Sequence, residues 1–235
     1  MAYKKRFDGR DFTELRKMSA QAGVIKQADG SAYFQAGKTA AYAAVYGPKE
    51  LHPKFMQNPS KGILRVNYSM MPFSGMGNRV RPGPNRRAKE LSMVIQKSLE
   101  PVLDLSAYPN CVVDVFIELP ETDAGSRCAS INAAAIALAD AGLLMKDMVS
   151  AISVGRVDDK IVADLDYAEE AYEDGPVADI PIAMIPSSGK ITLFQLDGDF
   201  DPKALQEALD MAKTACEEIK KVQIAAIKAK YEVSQ

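Results

Sequence analysis

Cys111-Val112-Val113-Asp114-Val115-Phe116-Ile117-Glu118-Leu119 leads shortly into Thr122-Asp123-Ala124-Gly125-Ser126-Arg127-Cys128-Ala129-Ser130, and a run of small residues continues to position 141. The alternating first stretch, the glycine-bearing turn and the small-residue run read as strand, tight loop and helix start. The first N–H groups of a helix have no partner within it and carry the positive end of its dipole, so a phosphate can replace the missing acceptors. Gly125 permits close approach to the backbone, Ser126 adds a hydroxyl, and Arg127 adds a forked cation suited to phosphate oxygens. The commoner alternative for such residues is a plain helix cap by Asp123 or Ser126, with Arg127 in solvent.

The chain around this stretch has 235 residues, of which 47% are hydrophobic, enough for one large core or two closely joined smaller ones. No apolar run approaches the length of a bilayer span, and Met1-Ala2-Tyr3-Lys4-Lys5-Arg6 is followed by the polar turn Phe7-Asp8-Gly9-Arg10 rather than an apolar signal region. The expectation is a soluble cytoplasmic protein without membrane contact. Cys111, Cys128 and Cys216 are odd in number and widely spaced, which argues against a disulfide framework and a CxxC metal site. His52 is the single histidine, so multi-histidine zinc chemistry is excluded and a Ser-His-Asp triad would depend on it alone. The net charge of -2 hides an uneven distribution: Arg79, Arg81, Arg86, Arg87 and Lys89 form a basic block, whereas residues 158–179 are acidic.

In chain order, residues 1–20 are polar with sparse apolar anchors and are expected along the surface. Short strands are expected at 24–27, 31–36 and 39–46, with turns at Asp29-Gly30 and Gly37-Lys38. The segment from Ala32 to Gly37-Lys38-Thr39 satisfies a relaxed phosphate-loop pattern. Strand-forming Tyr33 and Phe34, and Gly47-Pro48 soon after, favour a hairpin instead. A long polar loop is expected from Gly47 through His52-Pro53-Lys54 to Gly62, then a strand over 63–72. Leu91, Val94, Ile95, Leu99 and Val102 recur at helical spacing, so a helix begins near Asn85 with Arg86 and Arg87 in its first turn. Cations there oppose the helix dipole, which a polyanionic ligand would explain. Strands follow at 149–157, 160–167, 180–185 and 191–196, with Asp179 expected where a loop enters a buried strand. Such a carboxylate suits a metal or general-acid role. A last helix begins at Pro202, its Leu205, Leu209, Ala212, Cys216 and Ile219 facing the core and Lys220 to Lys230 presenting a basic solvated face.

Taken together, Asp8-Gly9-Arg10, Gly37-Lys38-Thr39, Tyr46-Gly47-Pro48-Lys49-Glu50, Met71-Pro72-Phe73-Ser74, Arg86-Arg87, Asp123-Ala124-Gly125-Ser126-Arg127 and Ala178-Asp179-Ile180-Pro181 resemble, in order and spacing, the RNase PH-like phosphorolytic exoribonucleases. Among these the chain is most similar to the catalytic ring subunit of archaeal exosomes. The resemblance implies an α+β fold of mixed sheets packed against helices (ribosomal protein S5 domain 2-like). It divides the chain into an N-terminal segment 1–16, halves 17–149 and 150–219, and a helix end and tail 220–235. It also implies a reaction: inorganic phosphate, as co-substrate, attacks the terminal phosphodiester at an RNA 3′ end and releases a nucleoside diphosphate, and diphosphates extend the chain in reverse. Gly125, Ser126 and Arg127 would hold phosphate, Arg86 and Arg87 would grip RNA, and Asp179 would act as acid or contact Mg2+. His52 and Lys54 would line the pore for single-stranded RNA. A second acidic residue is placed at Glu170 by counting forward from Asp164-Leu165, and near Glu173 or Asp174 by counting back from Asp179; Glu170 is preferred. The implied partners are a related RNase PH-like subunit in a hexameric ring, a trimer of heterodimers, and RNA-binding cap subunits. A non-catalytic RNA-binding scaffold and a homohexameric tRNA-trimming RNase PH are the alternatives.

Overall fold

A computed structural model describes residues 3–76, 80–81, 83 and 85–232. Its elements in order are β1 (Met18–Ala22), β2 (Gly30–Ala36), β3 (Thr39–Glu50), β4 (Ile63–Met70), α1 (Arg86–Leu99), β5 (Cys111–Glu121), α2 (Ser126–Asp140), β6 (Ser150–Val157), β7 (Lys160–Ala163), α3 (Tyr167–Glu170), β8 (Val177–Ile185), β9 (Lys190–Phe194), β10 (Asp197–Gly198) and α4 (Leu205–Glu232). One sheet has the order β1-β2-β3-β5-β4, antiparallel except for the parallel pair of β4 and β5. The other has the order β10-β8-β6-β7, with β9 also on β8, and is antiparallel throughout. The α+β architecture is therefore mixed only in the first sheet.

α2 lies between the sheets, touching β2 and β3 of one and β6 and β8 of the other. Its run Ala133-Ala134-Ala135-Ile136-Ala137-Leu138 is wholly buried, because small side chains on every face let both sheets approach a single helix. Asn132 is buried there and serves β6 as a strand edge would: its side chain donates to the Ala151 carbonyl at 2.9 Å and accepts the Ala151 N–H at 2.8 Å. α1 packs on β4, and α4 packs on β6 and β1. Among the described residues, no helix is long and apolar enough to cross a membrane.

Several sequence expectations are corrected. The first strand is at 18–22, not 24–27. The Ser31 hydroxyl takes the Ile25 N–H at 2.8 Å, so that N–H is unavailable to a sheet ladder. β3 continues through Gly47-Pro48, which sits at a register shift against β5 where proline costs no ladder bond. β7 stops at Ala163 because Asp164 adopts a left-handed backbone, φ +55°. The N-terminal segment does not simply lie along the surface: Tyr3, Arg6 and Arg16 are buried, drawn in by the carboxylates of Glu169 and Asp164. On α4 the basic face is paired in part, since Lys220 meets Asp147 at 2.6 Å and Lys230 meets Asp140 at 2.5 Å.

Candidate active site

The strand–loop–helix stretch forms as expected, and its loop is unusual in backbone. Ala124 (φ +59°) and Gly125 (φ +62°) are consecutive left-handed residues, a turn that costs a residue with a Cβ about 1–2 kcal/mol. Two elements from far along the chain hold it. Thr39 Oγ1 accepts the Asp123 N–H at 2.8 Å and donates to the Ala124 carbonyl at 2.7 Å. Arg16 Nη1 donates to the Asp123 carbonyl. Gly37-Lys38-Thr39 is thus a hairpin turn that also supports the loop, and Gly37 is required there: a Cβ on it would lie 2.6 Å from Arg16 Cδ.

The simple cap is not what the loop builds. Gly125 occupies the N-cap of α2 with no side-chain hydrogen bond to the helix. Asp123 turns instead to α3, where its Oδ1 accepts the Tyr167 N–H at 3.1 Å. The start of α2 therefore opens onto a cleft of about 640 Å³ whose lining includes Gly125, Ser126, Arg127, Arg87, Glu170 and Asp179.

Each charged group reaches the cleft from its own element. Arg87 comes from the first turn of α1, whose N-cap Asn85 accepts the Ala88 N–H at 2.8 Å and whose first turn has no acidic residue. Arg127 comes from α2, and its Nη1 donates to Gln195 Oε1 at 2.6 Å. Asp179 lies within β8 rather than at its entrance, paired in register with Gly155 of β6 and Asp197 of β10. The Ser153 hydroxyl donates to Asp179 Oδ1. Glu170 ends α3, a single turn closed by a capping box between Asp166 and Glu169.

The carboxyls are tuned by this setting. Burial pushes Glu170 up to about 7; the nearby Asp179 charge adds to the rise, and Arg16, Arg87 and Arg127 oppose it. Burial also raises Asp179, against the hydrogen bond from Ser153 and the charge of Arg127, with Asp197 pushing the same way as burial. Tyr68 lines the cleft with its hydroxyl buried and unbonded among the described residues. Burial raises that hydroxyl too, and the charges of Arg87 and Arg127 oppose the rise.

Of the residues singled out in the sequence, the structure gathers Gly125, Ser126, Arg127, Arg87, Glu170 and Asp179. Glu173 and Asp174 are exposed and outside the cleft lining, so only Glu170 of the three stands near Asp179. Arg86, His52 and Lys54 are exposed and do not line the cleft; His52 Nε2 is 3.7 Å from Glu50. Arg79 lies outside the described residues. Sequence reasoning missed Arg16, Ser153, Gln195 and Asp197 as parts of the site. Gln195-Leu196-Asp197-Gly198, a strand end closing on a glycine, was the one local signal for two of them.

A helix start without a side-chain cap, forked cations from two helices and two raised carboxyls, with His52 outside, are groups that can hold anions by positioning and charge neutralisation. The chain belongs to the 3′ exoribonuclease family, whose domain 1 matches residues 14–143 and whose domain 2 matches residues 147–215. It is 47% identical over 226 residues to the exosome complex component Rrp41 of Methanopyrus kandleri, covering 96% of this chain and 93% of that one. To Rrp41 of Pyrococcus furiosus it is 46% identical over 227 residues, covering 97% and 89%. Among solved structures, the Archaeoglobus fulgidus exosome with RNA bound to the active site superposes with a TM-score of 0.78 at 25% identity, covering 93% of this chain and 92% of that one. Rice Rrp46 shares the fold, with a TM-score of 0.80 at 24% identity over 94% of this chain and 100% of that one.

Proposed function

We propose that this chain is the phosphorolytic catalytic subunit of an exosome-type ring, removing nucleotides one at a time from RNA 3′ ends. The convergence of Gly125-Ser126-Arg127, Arg87, Glu170 and Asp179 in one cleft carries this reading, since it provides for an attacking anion, an anionic scissile group and a leaving oxygen. Inorganic phosphate rests against the α2 start and Arg127, and Arg87 takes the scissile phosphodiester. A phosphate oxygen bonds to the terminal phosphorus as the bond to the penultimate 3′ oxygen breaks. A nucleoside diphosphate leaves, and the shortened RNA 3′ oxygen receives a proton. Glu170, raised to about 7, is suited to hold and release such a proton near neutral pH, and Asp179 shares that environment. One phosphate bond replaces another, so the reaction is a transfer and runs in reverse from diphosphates.

Glu170 and Asp179 also suit Mg2+, whose charge would relieve their mutual repulsion. Among the described residues no group of three acidic, histidine or cysteine side chains is placed to hold a metal, so these two would bind it jointly with substrate phosphate oxygens. The ion would neutralise charge developing on those oxygens. Arg86, His52 and Lys54 lie outside the cleft and suit the path of single-stranded RNA toward it. In assembly, the reading places this chain beside a related RNase PH-like subunit in a trimer of heterodimers, beneath RNA-binding cap subunits.

The test incubates RNA with and without inorganic phosphate, alone and with the related subunit, and identifies the products. Phosphate-dependent nucleoside diphosphates are expected; monophosphates formed without phosphate overturn the reading. Asp179→Ala is expected to abolish turnover while assembly and RNA binding persist; turnover unchanged and dependent on the related subunit would place catalysis there and leave this chain a scaffold role.

A further inference from the structure

Arg16 is the residue that the proposed chemistry leaves unexplained. It is 6% exposed, and its hydrogen bonds are directed to two places. Its backbone N–H and Nε both donate to Asp164 Oδ2 at 2.9 Å, and its Nη2 donates to Asp164 Oδ1 at 2.7 Å. The remaining arm, Nη1, reaches the Asp123 carbonyl in the loop before α2. A Cβ built on Gly125 would lie 3.1 Å from Arg16 Nη2, so the guanidinium lies directly against the loop.

Both residues that Arg16 engages flank unusual backbone. Asp123 precedes left-handed Ala124 and Gly125; Asp164 is itself left-handed and precedes the turn into α3. Ordinary residues adopt such conformations only where their surroundings hold them. We propose that Arg16 is a positioning residue for the attacking phosphate: its buried fork, anchored by Asp164, fixes the Asp123 carbonyl and thereby aims the first N–H groups of α2, and through Asp164 it ties that loop to the turn bearing Glu170. The proposal rests on the phosphorolytic reading for its kinetic consequence, but not for its binding consequence.

An arginine is needed because only a planar fork satisfies the two carboxylate oxygens and a carbonyl at once; a lysine keeps the charge without that geometry. Arg16→Lys is therefore the first variant. The second, Arg16→Met with Asp164→Asn, removes the fork without leaving a lone buried charge, and asparagine tolerates the left-handed backbone at that position.

The experiment measures the KM for inorganic phosphate and the KM for RNA in the assembled enzyme, and inorganic phosphate binding by calorimetry, with melting curves as the fold control. In both variants the phosphate KM and dissociation constant are expected to rise about 10-fold or more, the scale on which small misplacements act, while the RNA KM stays within about twofold. An unchanged phosphate constant in a folded variant overturns the proposal. An equal rise in both constants, or failure of both variants to fold, assigns Arg16 to the fold alone and overturns it as well. Wild-type protein that releases monophosphates without phosphate defeats the phosphorolytic reading instead, and the calorimetric comparison then still decides the role of Arg16.

Discussion

Thr39 and Asp123 are 84 positions apart, yet the Thr39 hydroxyl accepts the Asp123 N–H at 2.8 Å while donating to the next carbonyl at 2.7 Å. One buried hydroxyl thus satisfies both polar groups of a left-handed loop. Thr39→Val keeps the shape and leaves both groups unpaired, so stability is expected to fall by about 1–3 kcal/mol. Thr39→Ser is expected to recover most of it. Urea unfolding of the two variants measures the difference, and the phosphate KM should follow the same order.

Gly125 is constrained both by its backbone and by Arg16. An alanine there meets the left-handed backbone, φ +62°, and brings its Cβ to 3.1 Å from Arg16 Nη2. Gly125→Ala is expected to cost about 1–2 kcal/mol from the backbone alone. It should weaken phosphate binding beyond detection by calorimetry, while RNA binding in a gel-shift assay remains.

The Glu170 carboxyl makes stability depend on pH with a definite sign. Its folded pKa of about 7 lies above the ordinary value of 4.5, so the folded protein holds this proton more tightly than the unfolded chain. That contribution is fully present below the ordinary value and is lost as pH rises through the folded one. Glu170→Gln, which keeps a neutral side chain at every pH, is therefore expected to match wild type near the low end of that window and to exceed it above the window. Allowing for partial exposure, the gain is on the order of 1–3 kcal/mol. Unfolding free energies measured across the window give the answer; a variant less stable than wild type at the alkaline end would contradict it.

Arg6 and Glu169 form an ion pair with both side chains at 0% exposure, and Arg6 also donates to the Ala163 and Asp164 carbonyls at 2.8 and 2.9 Å. Arg6→Met leaves the Glu169 charge buried and uncompensated, at a cost of about 3–5 kcal/mol. Adding Glu169→Gln is expected to restore much of that stability. Thermal unfolding of the single and double variants tests the pair. Phosphorolysis should fall in the single variant beyond any loss of folded protein, because Glu169 closes the turn that presents Glu170.

Some of this was legible from neighbouring residues alone. The alternation of β5, the small-residue run of α2 and the apolar spacing of α1 each depend on side chains a few positions apart, and each formed where the pattern pointed. The strand expected at 24–27 did not form, and the one expected at 160–167 formed only over 160–163, both because of side-chain interactions with residues outside the strand. Ser31 captures the Ile25 N–H, and Arg16 reaches Asp164 from 148 positions away. Hydrophobic periodicity registers neither interaction.

By itself, the amino-acid order determined a chain of mixed strands and helices with a glycine-bearing turn before a helix at Gly125-Ser126-Arg127, a cationic helix start at Arg86-Arg87 and a carboxylate-rich segment over 158–179. Those properties follow from local sterics, periodicity and charge. Tertiary structure alone decided that Glu170, not Glu173 or Asp174, shares the cleft with Asp179. It also decided that Arg87 enters while Arg86 stays outside, and that Arg16 and Thr39 hold the loop from afar. The physical reason is that burial and charge proximity depend on which elements pack together. Here the pairing of β8 with β6, and the placement of α2 between two sheets, bring residues more than a hundred positions apart within a few ångströms.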